Sequence, residues 1–400
     1  MGSDKKDIYL FETFSGIGAQ HKALTNLQNN NILSYELVGT SDWFISAVLA
    51  YKAIHFPNTK KLNPTESELK EFFREGVFSN DSKKPVRLEY LLRKDIKDQK
   101  EIYQAFKDTN NIGTIVDSFE KYKKLDKKPN LITYSFPCQD LSTAGNFHGF
   151  NKGIQEGTRS GLLLEIEHLL EDIKNDNSET LPKFLLLENV PNLVSKQHKK
   201  SFDKWLEYLS SIGYSTYWSI LDSHKYGFVQ RRRRVFALSV KDGKGIIENS
   251  LEQKIDNIYD SGNYKPKKQT TKNIFDLENK DTEESIWALM KNTPSRVRMA
   301  NVAKEVTKNT VKVPTVTTKQ DRLPNTGKIA YDHDVEGYLP WRFLSPSETY
   351  QLMGFSKQDY KRAKKAVKSK EKLWLHAGNS ITVNVIELVF YYIKELLDNE

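Results

Sequence analysis

The 400-residue sequence predicts an α/β fold, a Rossmann-like domain with a smaller second domain towards its C-terminal end. Three observations carry this expectation. Up to about residue 240, short apolar runs alternate with stretches of helical periodicity, the pattern of a parallel sheet covered by helices. The turn Ser15-Gly16-Ile17-Gly18 follows the first apolar run, where such a fold passes from strand into helix. From Asp242 to Lys312 the chain becomes polar and rich in Lys, Asn, Asp and Thr, and amphipathic patterns return only beyond residue 340.

The elements follow in order. Ile8 to Phe11 reads as the first strand, with a helix through Leu24 and Leu27 after the glycine turn. Tyr35 to Val38 reads as the second strand, followed by a helix from Ile45 to Ile54. Later strands are Leu131 to Tyr134, Phe184 to Leu187, Thr216 to Leu221 and Val235 to Val240, with helices Leu162 to Ile173 and Phe202 to Ile212 between them. The polar stretch after residue 240 fits either a linker or a small irregular domain. A domain is favoured, because linkers seldom retain Ile274, Phe275, Trp287 and the stretch Arg296-Val297-Arg298-Met299. The expected units are therefore 1–240, 241–340, and a returning segment 341–400 with helices at Pro346 to Met353 and Val383 to Leu397. The basic run Lys361 to Lys372 sits at helical spacing and reads as a solvated helix face.

Composition narrows the function classes. Apolar residues make up 38% and charged residues 28%, as in a soluble globular chain. No run of about 18 apolar residues occurs, and no apolar leader precedes the first strand, so the expected location is the cytoplasm. The single cysteine, Cys138, excludes an internal disulfide framework. The net charge of +9 is compatible with phosphate contacts, although lysine-heavy surfaces reach it without them. No His/Cys cluster suggests a metal, which excludes a zinc deaminase.

Four short blocks carry chemistry. In Phe11-Glu12-Thr13-Phe14-Ser15-Gly16-Ile17-Gly18, glycines let the backbone turn tightly and approach a ligand. The second strand leads to Asp42, a candidate for ribose hydroxyls, and Trp43, a face for adenine that would equally suit core packing. No lysine-ended phosphate loop appears, so the ligand expected is a nucleoside without phosphate; S-adenosylmethionine fits. Ser135-Phe136-Pro137-Cys138-Gln139-Asp140-Leu141-Ser142 places the cysteine in a strand-end loop, where a thiolate can act as nucleophile. Glu188 ends a buried apolar strand, which would raise its pKa and suit a proton-sharing role, although a strand-end acid can also be exposed. Gln230-Arg231-Arg232-Arg233-Arg234 then puts Arg232 and Arg234 on one face of a strand.

Together these blocks resemble the C5-cytosine-specific DNA methyltransferase family of bacterial restriction–modification type, over nearly the full length and in the family's order. Phe14 to Gly18 matches its cofactor turn, Pro137-Cys138-Gln139 its nucleophile loop, Glu188-Asn189-Val190 its acid motif, and Gln230, Arg232 and Arg234 its Gln-x-Arg-x-Arg. Pro314-Thr315-Val316-Thr317 with Arg322, and Gly378-Asn379-Ser380, resemble its two closing motifs. The resemblance implies a Rossmann-like S-adenosylmethionine-dependent methyltransferase domain with a target recognition domain at 241–340. Cys138, Glu188, Arg232 and Arg234 would be catalytic. Phe14, Gly16, Ile17, Gly18, Asp42, Trp43, Thr114, Pro137, Leu162, Asn379 and Ser380 would hold the cofactor. Gln139, Ser142 and Gln230, with Arg296, Arg298 and Arg322 from the recognition domain, would contact DNA. The partners implied are duplex DNA and a cognate restriction endonuclease acting separately; the enzyme would be a monomer in the bacterial cytoplasm.

The sequence departs from the family in two places. Asp42 replaces the usual Glu, and Gly113-Thr114-Ile115 stands where the family has Asp for the adenine amino group. A tRNA-methylating branch of the family remains an alternative, against which the long segment between Phe236 and Pro314 argues. A DNA-binding relative without activity would not need Cys138, Glu188 and both arginines.

Overall fold

The computed structural model describes residues 6–136, 161–242, 247–248, 250–278 and 282–399. Its main sheet is built from β1 (Ile8–Thr13), β2 (Tyr35–Ser41), β3 (Leu131–Tyr134), β4 (Phe184–Asn189), β5 (Tyr214–Asp222), β6 (Arg233–Lys241) and β7 (Ile247–Glu248). Their order is β2-β1-β3-β4-β6-β5-β7. β1 runs parallel to β2 and β3, and β3 parallel to β4.

The expected parallel sheet gives way at β6, which is antiparallel to both β4 and β5. Asp222 pairs directly with Arg233, so residues 223–232 form a hairpin connection. A parallel return needs a crossover of about a dozen residues or more, which this link cannot supply.

Period-two alternation places the core on both faces of the sheet. Ile8, Leu10, Phe184, Leu186, Phe236 and Leu238 join one apolar cluster with helices Ala19–Asn29 and Val383–Asp398. The residues between them, among them Phe11, Leu185, Leu187 and Ala237, join another with helices Leu162–Asn177 and Lys199–Ser211. Burial on both faces explains why β4 reads as an unbroken apolar run.

Two features were not foreseen. Residues 56–130 form a helical lobe, with helices Glu66–Glu75 and Ile96–Asp108 gathering Leu69, Phe73, Phe78, Leu91 and Phe106 against Ile45 and Val48. The second lies just past the expected boundary at residue 240. Helix Ser250–Ser261 packs Leu251, Ile255 and Ile258 into the main core beside Leu221 and Phe236. Past it, a three-stranded sheet with order β8-β10-β9 is formed by β8 (Leu289–Lys291), β9 (Ile329–Ala330) and β10 (Tyr338–Arg342). It packs Ala288, Met290, Ala300, Phe343 and Trp374 together, a small lobe whose last strand spans the expected boundary at 340. Arg342 ends that strand, buried, with a bidentate pair to Glu348 at 2.8 Å for each nitrogen. Glu348 also closes the capping box of helix Pro346–Met353, which ties the lobe to the returning segment. The basic run lies on helices Lys357–Ala366 and Lys370–Asn379; Lys364 meets Glu283 and Glu284, and Lys368 meets Asp98.

Candidate active site

The parallel strands β2, β1, β3 and β4 bring their carboxyl ends to one edge of the sheet, the edge where open α/β sheets bind ligands. After β1 the chain enters the glycine turn through Phe14 at φ 52°, a left-handed conformation unusual for a bulky residue. Gly16 follows at φ +54°, and among the described residues a Cβ there would meet only the Phe14 carbonyl oxygen, at 3.9 Å. Gly18 begins helix Ala19–Asn29 in the left-handed region, and Ile17 is buried beneath.

Asp42 at the end of β2 fixes this turn. Its Oδ2 accepts from the Gly16 N–H at 2.9 Å and its Oδ1 from the Phe44 N–H at 2.8 Å. Burial pushes its carboxyl up to about 6, against the pull of those backbone donors. The Trp43 N–H also pulls it down, and a carboxylate with about four lone-pair positions keeps acceptor capacity beyond these backbone donors. Trp43 is half-buried beside it. Asn111 carries the neighbouring loop: its Oδ1 accepts from the Gly113 N–H at 2.7 Å, and Gly113 at φ +85° borders open space. Thr114 Oγ1 accepts from the Val116 N–H at 3.3 Å, so its proton remains available to a ligand. Leu162 stands half-buried at the start of its helix. These features fit a nucleoside donor.

At the end of β4, Glu188 is buried and Arg234 Nε stands 3.1 Å from its Oε1. Burial raises the carboxyl's pKa, and Arg234 and then Arg232 oppose that rise. Next to it, Asn189 Nδ2 donates to the Phe136 carbonyl oxygen at 3.1 Å, tying the acid's strand to the residue two before Cys138. Pro137, Cys138, Gln139 and Ser142 lie outside the described residues.

Two expected site residues prove to be internal fasteners. Gln230 is 0% exposed: its Oε1 accepts from the Val316 N–H at 2.8 Å and its Nε2 donates to the Leu352 carbonyl at 3.1 Å. It has no surface to offer DNA. Arg232, 2% exposed, donates to the carbonyls of Val316, Gly378 and Ser380 at 2.9, 3.0 and 2.7 Å. Its guanidinium joins three segments distant in sequence and also acts on the Glu188 carboxyl. Gly378 lies so close to the Thr317–Thr318 backbone that a Cβ would stand 2.5 Å from Thr317 C, and only glycine fits. Ser380 is buried beyond it, whereas Asn379 is exposed.

In the small lobe, Arg296 and Arg322 come together and Arg298 does not join them. Arg296 Nη1 donates to the Arg322 carbonyl, and its guanidinium lies 5.8 Å over the Phe343 ring. Arg322 is exposed and paired with Asp321. Arg296 and Asp321 line an open cleft of about 270 Å³ together with Trp287, Phe343 and Trp374. Arg298 is exposed, two residues on along the same helix. Among the described residues no group of His, Cys, Asp and Glu could hold a metal, and no helix is long and apolar enough to cross a membrane.

Sequence reasoning passed over three residues under the glycine turn: Glu12, Tyr51 and His55. An acid inside the apolar run Ile8–Thr13 was the available signal for Glu12. It is 0% exposed, and burial lifts its carboxyl to about 8.

Comparison with known proteins agrees with this arrangement. Residues 86–395 match the family described as C-5 cytosine-specific DNA methylase. The chain is 33% identical over 399 residues to the orphan methyltransferase M.SssI of Spiroplasma monobiae, covering 96% of each. It is 30% identical over 403 residues to the type II methyltransferase M2.ScrFI of Lactococcus lactis subsp. cremoris, covering 98% of this chain and 99% of that one. Among solved structures, the S. pombe Dnmt2 methyltransferase matches with a TM-score of 0.61 at 18% identity, covering 98% and 99% of the two chains. That likeness bears on the fold alone. The α/β sheet with its small second sheet is thus the architecture of DNA methyltransferases, a family that takes its methyl group from S-adenosylmethionine. From the sheet-edge site to the full-length matches, the findings agree that this chain belongs to the C-5 cytosine-specific DNA methylase family and is a DNA (cytosine-5-)-methyltransferase.

Proposed function

We propose that this enzyme methylates cytosine within a short specific sequence of duplex DNA, through a covalent bond from Cys138 to C6 of a base swung out of the helix. The observation that carries this reading is the buried Glu188–Arg234 pair, 3.1 Å apart, on the strand that Asn189 ties to the loop leading to Cys138. Inside the stack the C5–C6 edge is out of reach, so the base must leave it. The Cys138 thiolate adds to C6, and electron density moves into the ring. Glu188, held with a raised pKa, shares a proton with N3, and Arg234 takes O2; both stabilise the charge that develops. C5 then forms its bond to the methyl group, loses its proton, and the returning electron pair expels Cys138.

S-adenosylmethionine supplies that methyl group in electrophilic form. Asp42 would accept from the ribose hydroxyls, Phe14 and Trp43 would flank the adenine, and Thr114 would donate to a ring nitrogen in place of the family's Asp. Gly16, Ile17 and Gly18 form the turn, and Pro137, Leu162, Asn379 and Ser380 would complete the pocket. Gln139 and Ser142 would close over the DNA. Base reading would fall to Arg296, which lines the cleft, and to Arg322 beside it, while Arg298 would contact phosphate. The enzyme works as a monomer, beside any endonuclease cutting the same sequence.

Offering duplex DNA and tRNA together with labelled donor tests the substrate, and bisulfite sequencing of the product DNA gives the sequence context. Label in one recurrent DNA context is the expected outcome. Transfer to tRNA alone would overturn the reading.

A further inference from the structure

Four side chains meet beneath the donor turn, and the methyl-transfer steps above use none of them. Gly18 lies directly on helix Ile45–His55: a Cβ there would stand 2.4 Å from His55 Nε2 and 2.7 Å from Tyr51 Cε2. His55 Nε2 is 3.0 Å from the Ile17 carbonyl oxygen. A carbonyl only accepts, so His55 carries its proton on Nε2. Tyr51 Oη stands 2.8 Å from Glu12 Oε2 and 2.8 Å from His21 Nδ1. His21 in turn stacks on His55 with ring centroids 4.3 Å apart.

Tyr51 has one proton for two neighbours. When Glu12 is ionised, Tyr51 donates to it and His21 Nδ1–H donates to Tyr51. When Glu12 is protonated, both bonds reverse: Glu12 donates to Tyr51, and Tyr51 donates to His21. The two states differ by one proton on the carboxyl and by the His21 tautomer. Glu12 Oε1 is buried without a well-aligned partner among the described residues.

We propose that Tyr51 and His55 position the methyl donor, and that the Glu12–Tyr51–His21 chain links the donor turn to one exchangeable proton. The inference rests on the reading that S-adenosylmethionine sits on this turn. A positive charge near a buried carboxyl favours its anion. The donor carries a sulfonium charge, and the product S-adenosylhomocysteine has lost it. Donor binding therefore releases a proton from Glu12 to solvent, and the spent product, which favours the anion less, releases less. The cluster is thereby built to hold donor more tightly than product.

The surrounding groups agree with this assignment. Burial lifts Glu12 to about 8, with Tyr51 and the Gln20 and His21 N–H groups pulling down and Asp42 pushing up, so the exchange falls near neutral pH. Burial keeps both histidines neutral; His55 is lowered to about 4. Lys22 faces both rings and is itself paired with Asp359 at 2.8 Å. Tyr35 faces Tyr51 and stays neutral, raised to about 12.

Calorimetric titration of the full-length protein with S-adenosylmethionine and with S-adenosylhomocysteine tests this, between pH 6.5 and 9.5, in buffers of different ionisation heat. The parent protein should release protons on binding donor, most strongly below pH 8, and fewer on binding product. Tyr51→Phe keeps the ring against Gly18 but removes the hydroxyl that lowers the Glu12 pKa. Its release profile should move to higher pH, with donor affinity at pH 7.5 about tenfold weaker, one pKa unit, and the loss falling on KM for the donor more than on kcat. His55→Gln, which keeps an N–H for Ile17, should bind donor more tightly than His55→Ala. Equal proton release for donor and product, or an unchanged profile and affinity in Tyr51→Phe, would overturn the inference. Absence of donor binding by the parent protein would instead overturn the donor reading, and this inference with it.

Discussion

Arg234 Nε meets Glu188 Oε1 at 3.1 Å across the antiparallel pairing of β4 with β6. An isolated carboxyl buried this deeply would give up its charge; an isolated arginine cannot. Held together, the two offer a proton-sharing carboxyl and a fixed cation within one small area. This pair underlies the first expectation.

Glu188→Gln preserves the shape and an acceptor for Arg234 but removes the exchangeable proton. Methyl transfer should fall by about 10²-fold or more, while duplex DNA affinity stays within a few fold. Single-turnover methylation and fluorescence anisotropy measure the two separately.

Arg232→Lys should destabilise the protein by about 3 kcal/mol, because an ammonium cannot span the carbonyls of Val316, Gly378 and Ser380 as the planar fork does. Urea unfolding monitored by tryptophan fluorescence reads this. A variant as stable as the parent but inactive would return Arg232 to the catalytic group.

Gly378→Ala brings a methyl group to 2.5 Å from the Thr317 and Thr318 backbone, where nothing flexible can yield. A loss of about 1–3 kcal/mol is expected, with weakened donor binding because Asn379 and Ser380 follow directly. Differential scanning calorimetry with and without donor checks both parts.

Above about pH 6.5, where the buried neutral histidines no longer oppose it, the unliganded protein should lose stability as pH rises, with Glu12 a main cause. Its pKa is about 8 in the folded state against an ordinary value of 4.5, so the native state binds the extra proton. Its contribution is complete below about 4.5 and declines until the pH passes about 8. Glu12→Gln should flatten the dependence over that window. Unfolding midpoints measured at intervals from pH 5 to 8.5 would show it, and a slope identical to the parent's would rule Glu12 out.

The family and its activity were legible because their marks sit in short contiguous blocks: the glycine turn, the stretch around Cys138, and Glu188 at the end of an apolar strand. The apolar runs that mark β1 and β4 are likewise local. What the sequence hid depends on distant segments meeting. Gln230 and Arg232 look like surface polar residues until Val316, Leu352 and Gly378 close over them. Helix Ser250–Ser261 looked like part of a separate polar domain because its apolar stripe of Leu251, Ile255 and Ile258 is narrow. The antiparallel β6 was readable only from the length of its connection to β5.

The most direct test uses a duplex carrying 5-fluorocytosine at the methylated position, incubated with S-adenosylmethionine and analysed by denaturing electrophoresis and peptide mass spectrometry. Fluorine at C5 blocks the final loss of the proton, so a covalent enzyme–DNA adduct attached through Cys138 should persist in the parent protein and be absent from Cys138→Ser. Adduct formation by Cys138→Ser, or attachment through any other residue, would contradict the assignment of Cys138 as the nucleophile.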